Sequence, residues 1–178
     1  KAQNPLITMT MGMLSKHLKD TLRLNQEDIR YVPPKTIVDT NFLGPCFGVI
    51  IYDKEHQRAY AGHFPNPERG SLVLLVNKAI FGIGNPENLD VFCVGNSPMG
   101  SLEDVHNRYV QETNNERQFV VSTLEKYGFD KSKTIFRLTS RPEQYAKLKL
   151  DADSGKTEYT LFSNRSKKPL YKGSISKV

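Results

Sequence analysis

Thr40-Asn41-Phe42-Leu43-Gly44-Pro45-Cys46 leads straight into the apolar run Phe47-Gly48-Val49-Ile50-Ile51-Tyr52, and after the polar connection Asp53 to Arg58 the pattern Ala59-Tyr60-Ala61-Gly62-His63-Phe64 resumes. Two β-branched and aromatic runs joined by a short polar link read as a strand pair. An antiparallel pair sets the start of its first strand beside the end of its second. Cys46 and His63, seventeen residues apart, are therefore expected to lie close together at one end of the hairpin.

A cysteine on a glycine-containing turn with an imidazole alongside is the usual arrangement for a thiol nucleophile, because the thiolate is the reactive species and a neighbouring base draws off its proton. Two readings fit Cys46. One is a nucleophile that attacks a carboxamide carbon, and the other is a small buried hydrophobe. The Gly-Pro turn and the spaced histidine favour the first. His63 is expected as the base that pairs with the thiol, protonates departing ammonia and activates water. Its flanks, Gly62 and Pro65, suggest an exposed, fixed ring.

The pattern Thr-x-x-Leu-Gly-x-Cys, an apolar strand ending in Tyr-Asp and then Ala-x-His-Phe resembles the chemoreceptor glutamine deamidases of the CheD family. Their fold and site are shared with the catalytic domains of cytotoxic necrotizing factor toxins. The resemblance covers roughly residues 36 to 162. It implies a layered α/β (α+β) fold with mixed sheets packed on helices, and a Cys-His-Thr site made of Cys46, His63 and Thr40. It also implies protein-glutamine deamidation through a thioester, without metal or organic cofactor. The expected partner is a protein substrate carrying a reactive glutamine, a host protein if the chain is a bacterial effector. A related transglutaminase or N-terminal amidase, and a non-catalytic binding module with a vestigial site, stay open beside that reading.

Thr40 sits where the family's site threonine lies, although its hydroxyl could equally satisfy a local backbone group. An oxyanion needs amide donors on the turn Gly44, Pro45 and Phe47. Pro45 has no N–H, so the amides of Cys46 and Phe47 are the candidates. The chain also departs from the family: Pro45 stands where serine is usual, and Val94-Gly95-Asn96 and Ser140-Arg141-Pro142 replace two glycine pairs.

Composition excludes little but places the charge. The formal net charge is +6, yet five basic residues, Arg165, Lys167, Lys168, Lys172 and Lys177, follow the last acidic residue, Glu158. The body is near neutral and the basicity belongs to the C-terminal end, read as a solvated tail with no nucleic-acid motif beside it. The longest apolar stretch uninterrupted by glycine, Leu72 to Val76, is too short for a membrane span. Two cysteines without C-x-x-C spacing fit reduced thiols and a cytoplasmic setting. The chain opens at Lys1 rather than methionine, so N-terminal trimming is expected.

The expected organisation is an N-terminal helical extension over 1–34, a deamidase domain over 35–164 and a basic tail over 165–178. Met11, Leu14, Leu18 and Leu22 recur at helical spacing. Further expectations are a helix from Ser71, capped by that serine and stopped by Gly82 or Gly84, and a strand Leu89 to Val94. A long helix Asp104 to Tyr127 closed by Gly128 follows, then strands Thr134 to Leu138, Ala146 to Asp151 and Thr157 to Phe162. Cys93 is read as core, and His17, His56 and His106 as solvated.

Overall fold

A computed structural model describes residues 19–97, 108–139, 141 and 143–175. The described residues form ten strands: β1 Asp20–Arg23, β2 Ile29–Val32, β3 Thr36–Asp39, β4 Phe47–Asp53, β5 Arg58–Phe64, β6 Asp90–Gly95, β7 Thr134–Leu138, β8 Gln144–Asp151, β9 Thr157–Ser163 and β10 Ser166–Gly173. Two helices, α1 Ser71–Ile83 and α2 Arg108–Lys126, complete the frame with short 3-10 turns. The strands form two mixed sheets. One runs β1-β3-β8-β9-β10 and the other β2-β5-β4-β6-β7. β1 with β3 and β6 with β7 are the parallel pairs.

The order of layers is sheet, sheet, helices, and β4 lies at its centre. All seven β4 residues are buried. Ile50 and Tyr52 face the first sheet, where they meet Val38, Leu148 and Leu150. Phe47, Val49 and Ile51 face α1 and α2, which present Leu72, Leu75, Val76, Ala79, Val120 and Leu124. A strand buried on both faces has no polar side to alternate with, which is why this run is almost wholly apolar. The spacing of Leu72, Leu75, Val76 and Ala79 puts them on one stripe of α1. Tyr52 ties the two sheets together, its hydroxyl donating to the Ala152 carbonyl at 2.9 Å.

Most of the anticipated elements are present, and the exceptions have physical reasons. Leu22 belongs to strand β1, so the expected N-terminal helix does not extend to it; Met11, Leu14 and Leu18 lie outside the described residues, as do His17, His106 and the beginning of the Asp104 helix. β2 pairs with β5, and β10 pairs with β9, so the boundaries at 34/35 and 164/165 fall within the two sheets rather than between units. The basic segment is an edge strand, with register shifts either side of Pro169 and an ion pair from Lys172 to Glu158 at 3.2 Å. α1 is capped by Gly70, not by the Ser71 side chain, and its C-terminal cap is Gly84, Gly82 being helical. Gly128, at φ 82°, ends α2 as expected.

Replacement of Ile50 by alanine, at 0% exposure between the sheets, is expected to cost about 2–5 kcal/mol, read as a shift in the urea midpoint with unchanged slope.

Candidate active site

Cys46 is the residue immediately before β4, and the loop carrying it is held from two sides. Leu43 exchanges backbone hydrogen bonds with Ala146 of β8, at 2.8 and 2.9 Å. From the end of β6, the Ser97 N–H donates to the Gly44 carbonyl at 2.7 Å and the Asn96 N–H to the Cys46 carbonyl at 2.8 Å. The Asn96 side-chain amide reaches the Pro45 carbonyl at 3.4 Å. This clamp depends on Gly95 and Asn96 both taking left-handed backbone, at φ 94° and 56°. Glycine and asparagine are the residues that accept it most readily. A Cβ at Gly95 would stand 2.5 Å from the Cys46 carbonyl oxygen and 2.8 Å from Leu43 Cβ. The Gly95-Asn96 pair thus supplies the backbone freedom that the clamp requires.

The register of β4 and β5 sets His63 opposite Gly48. Cys46 lies two residues before Gly48, a diagonal step of about 7–8 Å in an antiparallel ladder. Alternation along the strands turns Cys46 and His63 to the same face, toward the first sheet. Cys46 packs against the core between the sheets there and is partly exposed. Over Gly48 itself lie Leu43 Cδ1 and Thr40 Cγ2, which a Cβ would meet at 2.6 and 3.2 Å. Among the described residues no hydrogen bond joins the Cys46 thiol to the imidazole.

His63 is buried, at 5% exposure, and not exposed as its Gly62 and Pro65 flanks suggested. The cover comes from the chain entering β2: the His63 N–H donates to the Asp28 carbonyl at 3.1 Å and its carbonyl accepts from the Glu27 N–H at 2.7 Å. Its Nδ1 is buried without a hydrogen-bond partner. Burial holds the imidazole below its ordinary range, against the opposing pull of the Thr40 carbonyl, Asp28 and the Leu24 carbonyl. The ring is therefore neutral at pH 7 and able to accept a proton.

The Cys46 thiol is pushed up, first by burial and then by the Glu116 carboxylate. The resting pair is thus neutral thiol and neutral imidazole, and not the ion pair the spacing suggested. Thr40 is fully buried, and its hydroxyl donates to the Asn41 carbonyl at 3.2 Å and accepts the Leu148 N–H at 2.9 Å. The hydroxyl ties the end of β3 to β8, and it is the Thr40 carbonyl that acts on the ring. Phe47 is fully buried in the core beneath the helices, and Gly44 and Pro45 form the outer turn. Cys93 is core, as expected, with burial raising its thiol to about 12. His56 is exposed and bonded to Asp53, at 2.8 Å from Nδ1.

Three residues that sequence reasoning did not single out complete the neighbourhood. Glu116 and Arg117, from α2, meet Asn96. Asn96 Nδ2 donates to Glu116 Oε2 at 3.2 Å, while Arg117 donates through Nε to Asn96 Oδ1 at 2.8 Å and through Nη2 to the Asn96 carbonyl at 2.7 Å. Arg117 also bonds the Thr139 carbonyl. A narrow cavity of about 70 Å³ opens here, walled by Pro45, Pro65, Asn96, Thr113 and Glu116. On the other side of the Gly44-Pro45 turn lies a wider cleft of about 400 Å³ walled by Phe42, Gln144, Tyr145 and Asn164. Tyr145 stacks on Phe162 there, with Phe42 edge-on to both.

No family model matches this sequence, and no curated protein matches it. Among solved structures, the chain is similar to the hypothetical protein YfiH of Bacillus licheniformis, with TM-score 0.45 and 14% identity over 64% of this chain and 51% of that one. It is also similar to protein NMB0706 of Neisseria meningitidis, of family DUF152, with TM-score 0.47 and 12% identity over 70% of this chain and 65% of that one. The chain spans less than two thirds of either protein. Neither neighbour is a CheD protein, and likeness at this level carries no chemistry across.

Two outcomes follow from the geometry. Gly95→Ala should destabilise the protein by about 2–3 kcal/mol through backbone strain and contact with the Cys46 loop, measured by urea denaturation. Alkylation of Cys46 followed against pH should show a midpoint above that of free cysteine, and Glu116→Gln should move it down by removing a negative charge.

Proposed function

We propose that this chain is a protein-glutamine deamidase acting through Cys46, as the resemblance of residues 40–64 to the CheD pattern implies. The observation that supports it most is the placement of Cys46: a partly exposed residue on a turn clamped at the head of the central strand, directly after the Pro45 that lines both depressions, and one diagonal step from a neutral buried imidazole. A fixed nucleophile of this kind loses little freedom on reaching its transition state.

In the reaction the Cys46 sulfur bonds to the carboxamide carbon while His63 takes the thiol proton. The imidazolium then gives that proton to the nitrogen as the C–N bond breaks, and ammonia leaves. Water attacks the thioester, passing a proton to His63, which returns it to sulfur as the C–S bond breaks, and the carboxylic acid departs, losing its remaining proton to solvent as it becomes the carboxylate. The wider cleft, with its aromatic wall, suits a stretch of polypeptide, and the narrow cavity suits the amide end of a side chain.

The test is peptide mass spectrometry of cell lysate incubated with wild-type protein, Cys46→Ala or His63→Ala. Conversion of glutamine to glutamate at defined sites is expected for the wild type only, with His63→Ala reduced about 10²- to 10⁴-fold. Amine incorporation in place of ammonia release would instead favour a transglutaminase.

A further inference from the structure

We propose that Glu116 is the group that selects a neutral carboxamide at the Cys46 site, its carboxylate accepting an amide N–H and turning away a carboxylate. The inference rests on the deamidase reading for its substrate but on different residues for its evidence. Glu116 is half-buried on α2 and lines the narrow cavity together with Pro45, the residue directly before Cys46. Its position is fixed rather than incidental. Asn96, at 1% exposure and also lining the cavity, donates to Glu116 Oε2, and Arg117 in turn holds Asn96 through side chain and carbonyl. The same Asn96 side chain reaches the Pro45 carbonyl, so one residue joins the carboxylate to the loop that carries the nucleophile.

The cavity holds several waters' worth of space, enough for a terminal –CONH₂ group. A carboxylate is acceptor-only, and a primary amide offers two N–H donors, so the match is direct. The hydrolysed product presents a carboxylate instead, which like-charge repulsion disfavours next to Glu116 and a second acidic residue on the cavity wall, Glu112. Binding of amide and release of acid thus come from one side chain. Burial and the neighbouring acidic residues Glu68 and Glu112 raise the Glu116 carboxyl, while Asn96 acts the other way. Accepting an amide N–H would relieve part of the charge that holds the Cys46 thiol up. Glu116 is in this sense a specificity residue whose contact with substrate also favours the thiolate.

The experiment compares alkylation of Cys46 by iodoacetamide and by iodoacetate, reagents that differ only in amide against acid, with Cys46 resolved from Cys93 by peptide mass spectrometry. The wild-type rate ratio is expected to exceed that of free cysteine by about tenfold or more, the worth of a hydrogen bond to a charged acceptor. Folded Glu116→Gln should fall to the free-cysteine ratio, and Glu116→Asp should recover part of the preference. A wild-type ratio equal to that of free cysteine, or a folded Glu116→Gln that keeps the wild-type ratio, overturns the inference. Protection of Cys46 by propionamide against propionate needs no variant. Stronger protection by the amide is expected, and equal protection overturns the inference even if Glu116→Gln fails to fold. If the amide preference holds while no lysate glutamine is converted, the deamidase reading falls and the amide-selecting site stands.

Discussion

Burial of β4 on both faces is the constraint from which the rest of the molecule follows. Fully burying one large aliphatic side chain is worth about 1.5–3 kcal/mol, whereas one neutral hydrogen bond nets about 1 kcal/mol. Ile50 and Tyr52 on one side and Phe47, Val49 and Ile51 on the other therefore set the register, since a slip of one residue would exchange the two faces. With β4 fixed, β5 brings His63 opposite Gly48 and β6 brings Gly95 opposite Phe47. The candidate site is the end of that registered sheet, closed over by the Leu43–Cys46 loop.

The Cys46 thiol and the His63 imidazole are both neutral at rest, held so chiefly by burial. A low-dielectric surrounding disfavours both thiolate and imidazolium, so neither forms until something offsets the cost. His63 carries a buried, unpartnered Nδ1, the kind of unsatisfied polar atom that folded proteins seldom keep without a use. The Thr40 and Leu24 carbonyls act on the imidazole, whereas Thr40's hydroxyl is committed to β8. Charge enters the neighbourhood from α2 instead. Glu116 raises the thiol, and Asn96 and Arg117 fix where that carboxylate stands.

The parts of the fold that were legible in sequence are those with a local period. The β4–β5 hairpin and β7, β8 and β9 could be read from spacing, and α1 from the residues expected to start and stop it. β1 was not, because four residues hold too few inward positions to show alternation, and Leu22 also continues a helical spacing from Leu18. β10 was read as tail because edge strands carry lysine and proline to discourage further pairing, which makes them look solvated. His63's burial was hidden for a related reason: its cover comes from residues 24–28, which are remote in sequence from the hairpin. Asn96 and Glu116 were not assigned to the site, since the contacts that give them meaning span 51 and 20 residues. The one local sign was Gly95-Asn96, a pair suited to left-handed backbone.

Deamidation through this site requires Cys46 to attack the carbon at the end of a glutamine side chain. The most direct measurement is covalent capture with a peptide whose glutamine is replaced by a diazo-ketone analogue, followed by mass mapping of the adduct. A single adduct on Cys46, formed much faster than on free cysteine and absent from Cys93, is the result predicted. Labelling of Cys46 no faster than of free cysteine would contradict the account and leave the loop as a structural turn.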